Sequence, residues 1–327
     1  MKICTYQKST FLGTHHRLGI VHLDRVIDVN LVWQHYFTLR GYYSPEVKAH
    51  HHMPSSLSDI LTIYQEEALN KFKMTLIHFD DLLERGVDPQ ALSQPLADIE
   101  FASPLDKIIM YRDFYAHEKH VKVGFEKRGE PVPAAWYEIP AYYKGGTAGF
   151  LGNNATIPWP SFSQKVDYEL ELGVVLGRDG FNIKEEKALD HIFGYTILND
   201  ISARDIQRKE MSIRLGPAKG KDWCSIMGPV IVTQDEFGTS EPDLLMQARI
   251  NGELWSEGRS SDSHFTWSQM IAHMGQDEWI RASEFIGSGT VGTGCGLELD
   301  KWIKPADVVE LEIEKIGILK NIVGHPK

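Results

Sequence analysis

The chain has 327 residues, which is enough for about two domains of typical size and for a large hydrophobic core. Apolar residues make up 42% of the sequence and charged residues 24%, a composition that excludes a disordered chain. The 34 basic and 45 acidic residues give a formal net charge of −11, which argues against nucleic acid or an anionic membrane as a partner.

The three cysteines, Cys4, Cys224 and Cys295, are scattered along the chain and predict neither a disulfide framework nor a thiolate zinc site. No segment approaches the ~18 consecutive apolar residues of a membrane span, and the first twelve residues lack the apolar core of a signal peptide. We therefore expect a soluble protein of the reducing cytoplasm.

Residues 1–103 are predicted to form a small N-terminal α+β domain. Two apolar runs within residues 17–30, joined at Asp24 and Arg25, predict a β-hairpin. The periodicity from about Ser58 to Arg85 predicts one long amphipathic helix that ends before Gly86. The adjacent histidines at 50–52 are predicted to lie in a solvated loop, since three neighbouring imidazoles cannot all face one ion from regular structure.

Residues 104–327 are predicted to form a second, mainly β domain, so that the fold class is mainly β or α+β. Short β-type runs alternate with glycine and proline turns, which favours antiparallel sheets over a βαβ alternation. Asn251-Gly252 and Lys315-Ile-Gly317 predict hairpin turns. The predicted strands are 168–176, 194–198, 227–233, 244–250, 296–299, 308–313 and 318–323.

A first group of candidate functional residues lies in the predicted strand at 166–174. Because side chains alternate along a strand, Asp167, Glu169 and Glu171 share one face, with neighbours ~6.5–7 Å apart. Two such carboxylates can reach one divalent cation from the same side. The pattern is equally typical of a strand with a solvated acidic face, so both interpretations stay open.

A second group follows the predicted strand that runs into Asp200. Ser202 and Asp205 have the spacing of a capping box, which predicts the start of a helix. On that helix Arg204 and Gln207 share a face, and Arg204 would lie near Asp200, where it could orient a carboxylate of a substrate. An ordinary capped helix at a surface turn is the alternative interpretation.

A third group lies within residues 111–120. Asp113, Tyr115, His117 and His120 supply a carboxylate, a phenol and two imidazoles in one short segment. Plain structure seldom requires such a density of side chains capable of catalysis. A solvated segment of an acidic protein is the alternative.

Together these groups resemble the fumarylacetoacetate hydrolase family, in chain order, over about residues 104–323. The motifs that carry the resemblance are Asp113-Phe-Tyr115 with His120, Glu169-x-Glu171, Asn199-Asp200-x-Ser-Ala-Arg204-Asp-x-Gln207, Leu215-Gly-Pro followed by Gly220-Lys221, Gly287-Ser-Gly-Thr290 and Leu297-Glu298-Leu299. The resemblance implies a β-roll catalytic domain of the fumarylacetoacetase type, assembled as a homodimer.

The resemblance also implies roles for individual residues. Magnesium or calcium would be held by Asp113, Glu169, Glu171 and Asp200. The catalytic residues would be His120, which activates water, Glu298, which assists it, and Lys221, which supplies positive charge. The substrate would contact Tyr115, Arg128, Tyr143, Arg204, Gln207, Lys221 and Thr290. Met211 stands where the hydrolase has a substrate-binding tyrosine, so fumarylacetoacetate itself is not the expected substrate.

Hard oxygen ligands select Mg²⁺, Mn²⁺ or Ca²⁺ over zinc, and Mg²⁺ is expected first. We therefore predict a metal-dependent hydrolase that cleaves a C–C bond in a small diketo acid, an acylpyruvate or a fumarylacetoacetate-like compound from aromatic breakdown. A decarboxylase, hydratase or isomerase of a related 2-oxo acid is one alternative. A metal-stabilised binding protein without turnover is another. His117 with Glu118 stays open as an alternative to the pair formed by His120 and Glu298.

Overall fold

The computed structural model describes residues 1–326. The N-terminal part combines a short antiparallel ribbon with four helices. Its elements in chain order are β1 (Lys2–Thr10), β2 (Gly13–His22), β3 (Arg25–Asp28), α1 (Val29–Leu39), α2 (Pro45–His52), α3 (Leu57–Tyr64), α4 (Ala68–Glu84) and β4 (Ser93–Pro95).

The remainder of the chain consists mostly of strands. Its strands are β5 (Tyr111–Phe114), β6 (Tyr142–Gly145), β7 (Phe150–Leu151), β8 (Thr156–Trp159), β9 (Val166–Asp167), β10 (Leu170–Leu176), β11 (Gly180–Phe181), β12 (Ile192–Asn199), β13 (Ser202–Ala203), β14 (Ser225–Thr233), β15 (Leu245–Ile250), β16 (Glu253–Arg259), β17 (Trp279–Ile280), β18 (Phe285–Gly287), β19 (Val308–Ile313) and β20 (Gly317–Pro326). Its helices are α5 (Glu118–Glu126), α6 (Arg204–Ile213), α7 (Trp267–Gly275) and α8 (Gly296–Leu299).

Two sheets organise the fold. An 11-stranded sheet has the order β4-β3-β2-β1-β14-β12-β10-β18-β5-β6, with β7 beside β14. A 5-stranded sheet has the order β16-β15-β19-β20-β8. Most pairs are antiparallel, and the parallel exceptions are β7 with β14, β5 with β18 and β8 with β20. The predicted mixed, sheet-rich class is therefore confirmed.

The central strands of the large sheet are apolar on both faces because both faces are covered. Leu172 and Val174 of β10 belong to the core formed with the 5-stranded sheet, where Leu311 of β19 also lies. Val175, on the opposite face of β10, packs in a second core with Phe72 of α4. Strands buried on both sides lose the apolar and polar alternation of a half-exposed strand.

The N-terminal ribbon extends the large sheet. Strand β1 pairs with β14 in antiparallel register, with Ile3 opposite Ile231. Backbone hydrogen bonds therefore connect the first part of the chain directly to the strands beyond residue 104. The division into domains 1–103 and 104–327 stays a prediction.

The single helix predicted from Ser58 to Arg85 is wrong, because α3 and α4 are separate helices. Gln65 has a positive φ of 45°, which breaks the helix, and residues 65–67 form a 3₁₀ turn before α4 begins. Hydrophobic periodicity runs through this break because both helices bury an apolar face. No helix within residues 1–326 has both the length and the apolar character needed to cross a membrane.

The loop predicted at residues 50–52 is also wrong, because these histidines form the last turn of α2. Pro45 occupies the first turn of this helix, where its missing N–H costs nothing, and the histidines lie at the helix end. His50 and His51 are exposed, as expected.

The predicted hairpins are confirmed at β2 and β3, at β15 and β16, and at β19 and β20. Two strand predictions need correction. The segment 166–174 is split into β9 and β10, with Tyr168 and Glu169 between them, and the predicted strand at 296–299 is the short helix α8. A hydrogen bond from the Gly296 N–H to Asp167 fixes this helix start, and sequence spacing does not reveal that contact.

A buried ionic group joins the ribbon to α1. The Asp28 carboxylate is 1% exposed and accepts hydrogen bonds from Arg17 at 2.8 and 2.7 Å and from the Tyr6 hydroxyl at 2.6 Å. It also accepts the Leu31 N–H at 2.9 Å and so caps α1. Asp28 thus satisfies three groups that would otherwise be buried without partners.

We predict that Asp28→Ala destabilises the protein by about 3–5 kcal/mol, because it leaves the Arg17 charge partly buried and unpaired. Urea denaturation of both proteins measures the loss. Asp59→Ala is the matched control, since it breaks an ion pair with Lys107 that is largely exposed and contributes little. Equal losses in the two variants would contradict the role given to Asp28.

Candidate active site

Four neighbouring strand ends bring three carboxylates together. Glu171 lies on β10, Asp113 lies on β5, and Asp200 directly follows β12. Strand β18 lies between β10 and β5, and its Gly287 pairs with Asp113 on one side and with Gly173 on the other. The three side chains are therefore neighbours in space although they are distant in sequence.

The carboxylates of Asp113, Glu171 and Asp200 lie within 4.8 Å of one another, and all three residues are buried. A Cβ atom at Gly287 would collide with the Asp113 carboxylate and would come within 2.9 Å of Glu171. The Gly289 N–H points at the same group, 3.1 Å from Glu171 and 3.3 Å from Asp113. The absence of a side chain at position 287 thus keeps space for the carboxylate oxygens.

Burial raises the pKa of Asp113, Glu171 and Asp200, and neighbouring carboxylates raise it further. Like charges at this separation are unfavourable unless a cation or protons neutralise them. A bound dication removes that repulsion, and an all-oxygen donor set suits Mg²⁺, Mn²⁺ or Ca²⁺. The three residues therefore fit a hard divalent metal ion.

Glu169, the fourth predicted ligand, lies beside the cluster and is engaged by two cations. Arg204 donates to Oε1 at 2.7 Å, and the Lys221 ammonium contacts Oε2. Burial alone would raise the pKa of Glu169, but these two cations lower it well below its usual range. Glu169 thus stays ionised without a metal ion, and its role as a ligand stays a prediction.

Lys221 connects Glu169 to the carboxylate cluster. Its ammonium is buried and lies 2.5 Å from Oδ2 of Asp200. Burial would lower the pKa of this ammonium, but Asp200 and Glu169 raise it above its usual range, so the group is charged. Lys221 is thus close to Asp200, a contact that no sequence spacing shows.

Asp167 was predicted only as part of an acidic strand face, and the structure gives it a more specific position. Its carboxylate is fully buried and accepts a hydrogen bond from Arg204 Nε at 2.8 Å. It also accepts the N–H groups of Gly296 at 2.8 Å and Leu297 at 3.0 Å, at the start of α8. Asp167 therefore holds together Arg204 and the segment that carries Glu298.

The capping box predicted from Ser202 and Asp205 is absent. Helix α6 begins at Arg204 after Ala203, with no side-chain cap. The Asp205 carboxylate instead accepts from the Ser163 hydroxyl at 2.5 Å and the Gln164 N–H at 3.0 Å. The solvated interpretation of the acidic strand is also wrong, because residues 166–171 are buried. In both cases long-range contacts replace the local pattern.

A second functional group lies next to Glu169. Nδ1 of His120, on α5, is 2.6 Å from Oε1 of Glu298, on α8, and both side chains are less than 10% exposed. Burial would raise the pKa of Glu298, but its hydrogen bond with His120 lowers it. The Thr293 N–H donates to the other Glu298 oxygen at 2.9 Å and fixes the carboxylate. His120 is thereby held by an ionised partner.

The alternative pair of His117 and Glu118 is not formed. Glu118 accepts hydrogen bonds from Tyr137 and pairs with Lys122 on the protein surface. His117 is 2% exposed, and neither ring nitrogen has a hydrogen-bond partner. Burial and the nearby His120 lower the pKa of His117 to about 4, which keeps this imidazole neutral. The geometry therefore favours His120 with Glu298.

Three of the residues predicted to contact the substrate form hydrogen bonds with other residues of the site. The Tyr143 hydroxyl donates to Asp200 at 2.7 Å, and the Thr290 hydroxyl donates to Glu171 at 3.2 Å. Gln207 accepts from Arg204 at 3.0 Å.

Tyr115 contacts His120, and Arg128 lies near Tyr115. The Tyr115 ring packs edge-on against His120, with centroids 5.4 Å apart. The Arg128 side chain is 44% exposed and stacks on Phe125. Met211 is 47% exposed at the far end of α6. Among the predicted cationic contacts, the guanidinium of Arg128 is thus the one that faces solvent.

Comparison with known proteins agrees with this architecture. The chain is 38% identical over 164 residues to the oxaloacetate tautomerase YisK of Bacillus subtilis (strain 168), which is 50% of this chain and 53% of that protein. The alignment thus spans about half the length of this curated relative.

Solved structures share the fold over the whole chain. A fumarylacetoacetate hydrolase from psychrophilic Exiguobacterium antarcticum superposes with a TM-score of 0.71 at 22% identity and 99% coverage of both chains. Maleylpyruvate hydrolase from Sphingobium sp. SYK-6, in complex with manganese(II) and pyruvate, has a TM-score of 0.67 at 18% identity and 100% coverage of both. The family model described as fumarylacetoacetate (FAA) hydrolase C-terminal matches residues 109–324. The chain therefore belongs to the fumarylacetoacetate hydrolase family.

Proposed function

We propose that this protein is a metal-dependent hydrolase that cleaves a C–C bond in a small diketo acid, an acylpyruvate or a fumarylacetoacetate-like compound. The observation that carries the proposal is the buried His120 and Glu298 pair beside the carboxylate cluster. A cluster for a hard cation and an oriented imidazole are the two parts that such hydrolysis requires.

Asp113, Glu171 and Asp200 would hold the cation, with Glu169 adjacent. A bound Mg²⁺ or Mn²⁺ would polarise the oxygens of a chelating diketone and offset the charge of the enolate that leaves. The maleylpyruvate hydrolase of the same fold, solved with manganese and pyruvate, supports a divalent cation for this chain as well.

His120 is the general base in this mechanism. It takes a proton from water, and the water oxygen forms a bond to the acyl carbon as the C–C bond breaks. The electron pair of that bond moves to the pyruvate fragment, which takes a proton, so that the products are a carboxylic acid and pyruvate. Glu298 accepts a hydrogen bond from His120 and stabilises the imidazolium while the proton is held.

Substrate binding falls to the cationic and hydroxyl side chains around the cluster. Lys221 and Arg204 offset the buried negative charge. The exposed guanidinium of Arg128, which lies 3.6 Å from Glu130 at the surface, can exchange this contact for a substrate carboxylate. Tyr115, next to His120, and Gln207, next to Arg204, would contact the substrate. Tyr143 and Thr290 orient the carboxylates of the cluster. We further propose a homodimer that acts in the breakdown of aromatic compounds in the cytoplasm.

Tautomerisation of a 2-oxo acid such as oxaloacetate is the second candidate. It is favoured by the 38% identity to a protein described as an oxaloacetate tautomerase. The same base would then take a proton from the carbon between two carbonyl groups instead of from water, and no C–C bond would break.

We predict that Mn²⁺ binding releases protons and strengthens as pH rises. The pKa values of Asp113, Glu171 and Asp200 are raised, so the metal-free protein retains protons there that the cation must displace. Calorimetric titration in buffers of different ionisation enthalpy counts these protons. Glu171→Gln is expected to weaken binding by at least about 10–100-fold, the range known for changes in outer-shell partners alone.

Glu118→Gln is the control for metal binding, because Glu118 is a surface carboxylate paired with Lys122. Its Mn²⁺ affinity is expected to match the wild type. If Glu171→Gln bound Mn²⁺ as tightly as the wild type and released as many protons, the proposed ligand set would be wrong.

We predict that His120→Asn lowers turnover by about 10²–10⁴-fold, the usual contribution of general acid–base catalysis, while Mn²⁺ affinity is kept. Turnover is measured on a panel of acylpyruvates, fumarylacetoacetate and oxaloacetate, with NMR identification of the products. His117→Asn is the control, since His117 lacks any hydrogen-bond partner and is not assigned a chemical role.

The products separate the candidate functions. Pyruvate with a carboxylic acid indicates hydrolysis, and carbon dioxide indicates decarboxylation. Tautomerisation is indicated if oxaloacetate exchanges deuterium at the carbon between its two carbonyl groups and its chain stays intact. A protein that binds Mn²⁺ and consumes none of these compounds would refute the enzymatic proposal and leave a metal-stabilised binding protein.

A further inference from the structure

One cysteine lies against the pair formed by His120 and Glu298. The Cys295 Sγ is 3.6 Å from Oε1 of Glu298 and 4.0 Å from Nδ1 of His120. One donor atom of each residue lies within 4.8 Å of the donor atoms of the other two. These side chains form a compact nitrogen, sulfur and oxygen donor set, called the mixed-donor cluster below.

The mixed-donor cluster is separate from the carboxylate cluster. The two share no residue, although Glu169 links them through its backbone bridge to Cys295. Their donor sets also differ in kind. Three carboxylates suit hard cations such as Mg²⁺, whereas an imidazole, a thiolate and a carboxylate suit borderline cations such as Zn²⁺ and Co²⁺.

The surroundings also suit a cation. Cys295 is fully buried, and the electrostatic field at its sulfur includes the carboxylates of Asp167, Glu169 and Glu298. Burial and these carboxylates raise the pKa of the Cys295 thiol well above its usual range, although Arg204 opposes the shift. A metal ion must therefore displace the thiol proton, and the Glu298 carboxylate, which pairs with no lysine or arginine among residues 1–326, supplies negative charge to the ion.

We propose that His120, Cys295 and Glu298 bind one Zn²⁺ ion, and that this ion inhibits the enzyme. In a tetrahedral zinc site, ligand atoms lie about 3.3–3.7 Å apart. The two distances from Cys295 Sγ are close to this range. The hydrogen bond between His120 and Glu298 must lengthen from 2.6 Å, and it does so because Zn²⁺ takes the place of the shared proton.

The binding step balances as an exchange of a proton for metal. Zn²⁺ binds Nδ1 of His120, Sγ of Cys295 and Oε1 of Glu298. The thiol proton leaves to solvent, the imidazole carries its proton on Nε2 in place of Nδ1, and water completes the coordination. No oxidant is needed. The zinc-bound His120 loses its hydrogen bond to Glu298, so the imidazole no longer has a partner that stabilises its protonated form.

The binding part of this inference stands by itself, and the inhibition part rests on the proposed function. The two are tested by different signals. Cobalt(II) serves as the probe for binding, because a thiolate ligand gives a cobalt charge-transfer absorption in the near ultraviolet that oxygen ligands do not give.

Titration of Co²⁺ into the full-length protein, already saturated with Mg²⁺, is expected to produce this absorption with one ion bound per chain. Zn²⁺ is expected to displace the Co²⁺ and abolish the absorption. Cys295→Ala is expected to lose the absorption and to bind Co²⁺ at least about 100-fold more weakly, since even outer-shell changes cost about 10–100-fold.

Cys4→Ala is the matched control, because Cys4 is equally buried but lies on β1, in the N-terminal ribbon. It should retain the absorption. If Cys295→Ala failed to fold, the titration of the wild-type protein would still test the proposal. A missing thiolate absorption in the wild type would refute metal binding at Cys295. Equal absorption in the wild type and in Cys295→Ala overturns it too.

In the turnover assay, Zn²⁺ is expected to inhibit the wild type and to inhibit Cys295→Ala at least about 100-fold more weakly. Thiolate absorption without turnover of any substrate would keep the zinc site and refute the proposed function. Turnover without thiolate absorption would keep the proposed function and refute the zinc site. Absorption with turnover unaffected by Zn²⁺ would refute the inhibitory role.

Discussion

Buried negative charge is the constraint on which the rest of the site depends. One region buries five carboxylates, those of Asp113, Asp167, Glu169, Glu171 and Asp200. Within residues 1–326 they pair with two buried cationic side chains, Arg204 and Lys221. Such a group is strongly unfavourable unless further positive charge is supplied. A divalent cation would supply it, and the same carboxylates would hold the metal ion.

The side chains of Arg204 and Lys221 neutralise some of these carboxylates and leave others without a cationic partner. Arg204 and Lys221 keep Glu169 ionised, and Arg204 also binds Asp167. Among the residues that the structure describes, the carboxyl groups of Asp113 and Glu171 receive no direct ion pair, and their pKa values are raised. Asp200 belongs to both groups, because it pairs with Lys221 and also lies in the carboxylate cluster.

The pair formed by His120 and Glu298 depends on the same buried charges. Asp167 binds Arg204 and the start of α8, which presents Glu298 to His120. His120 is thus positioned by contacts that also connect to Glu169 and the carboxylate cluster. In the proposed reactions this imidazole would take a proton from water for hydrolysis or from carbon for tautomerisation.

The amino-acid sequence by itself determined the sheet-rich class, the hairpin turns and the residues from which the site is built, because turns and motifs are local in the chain. Only the tertiary structure decided which of them meet. The pairing of Glu298 with His120 spans 178 residues, and the contacts of Lys221 and Asp167 depend on loops that no periodicity describes. The break at Gln65 and the absent capping box of Ser202 escaped prediction for the same reason, since packing between distant segments overrides local preference.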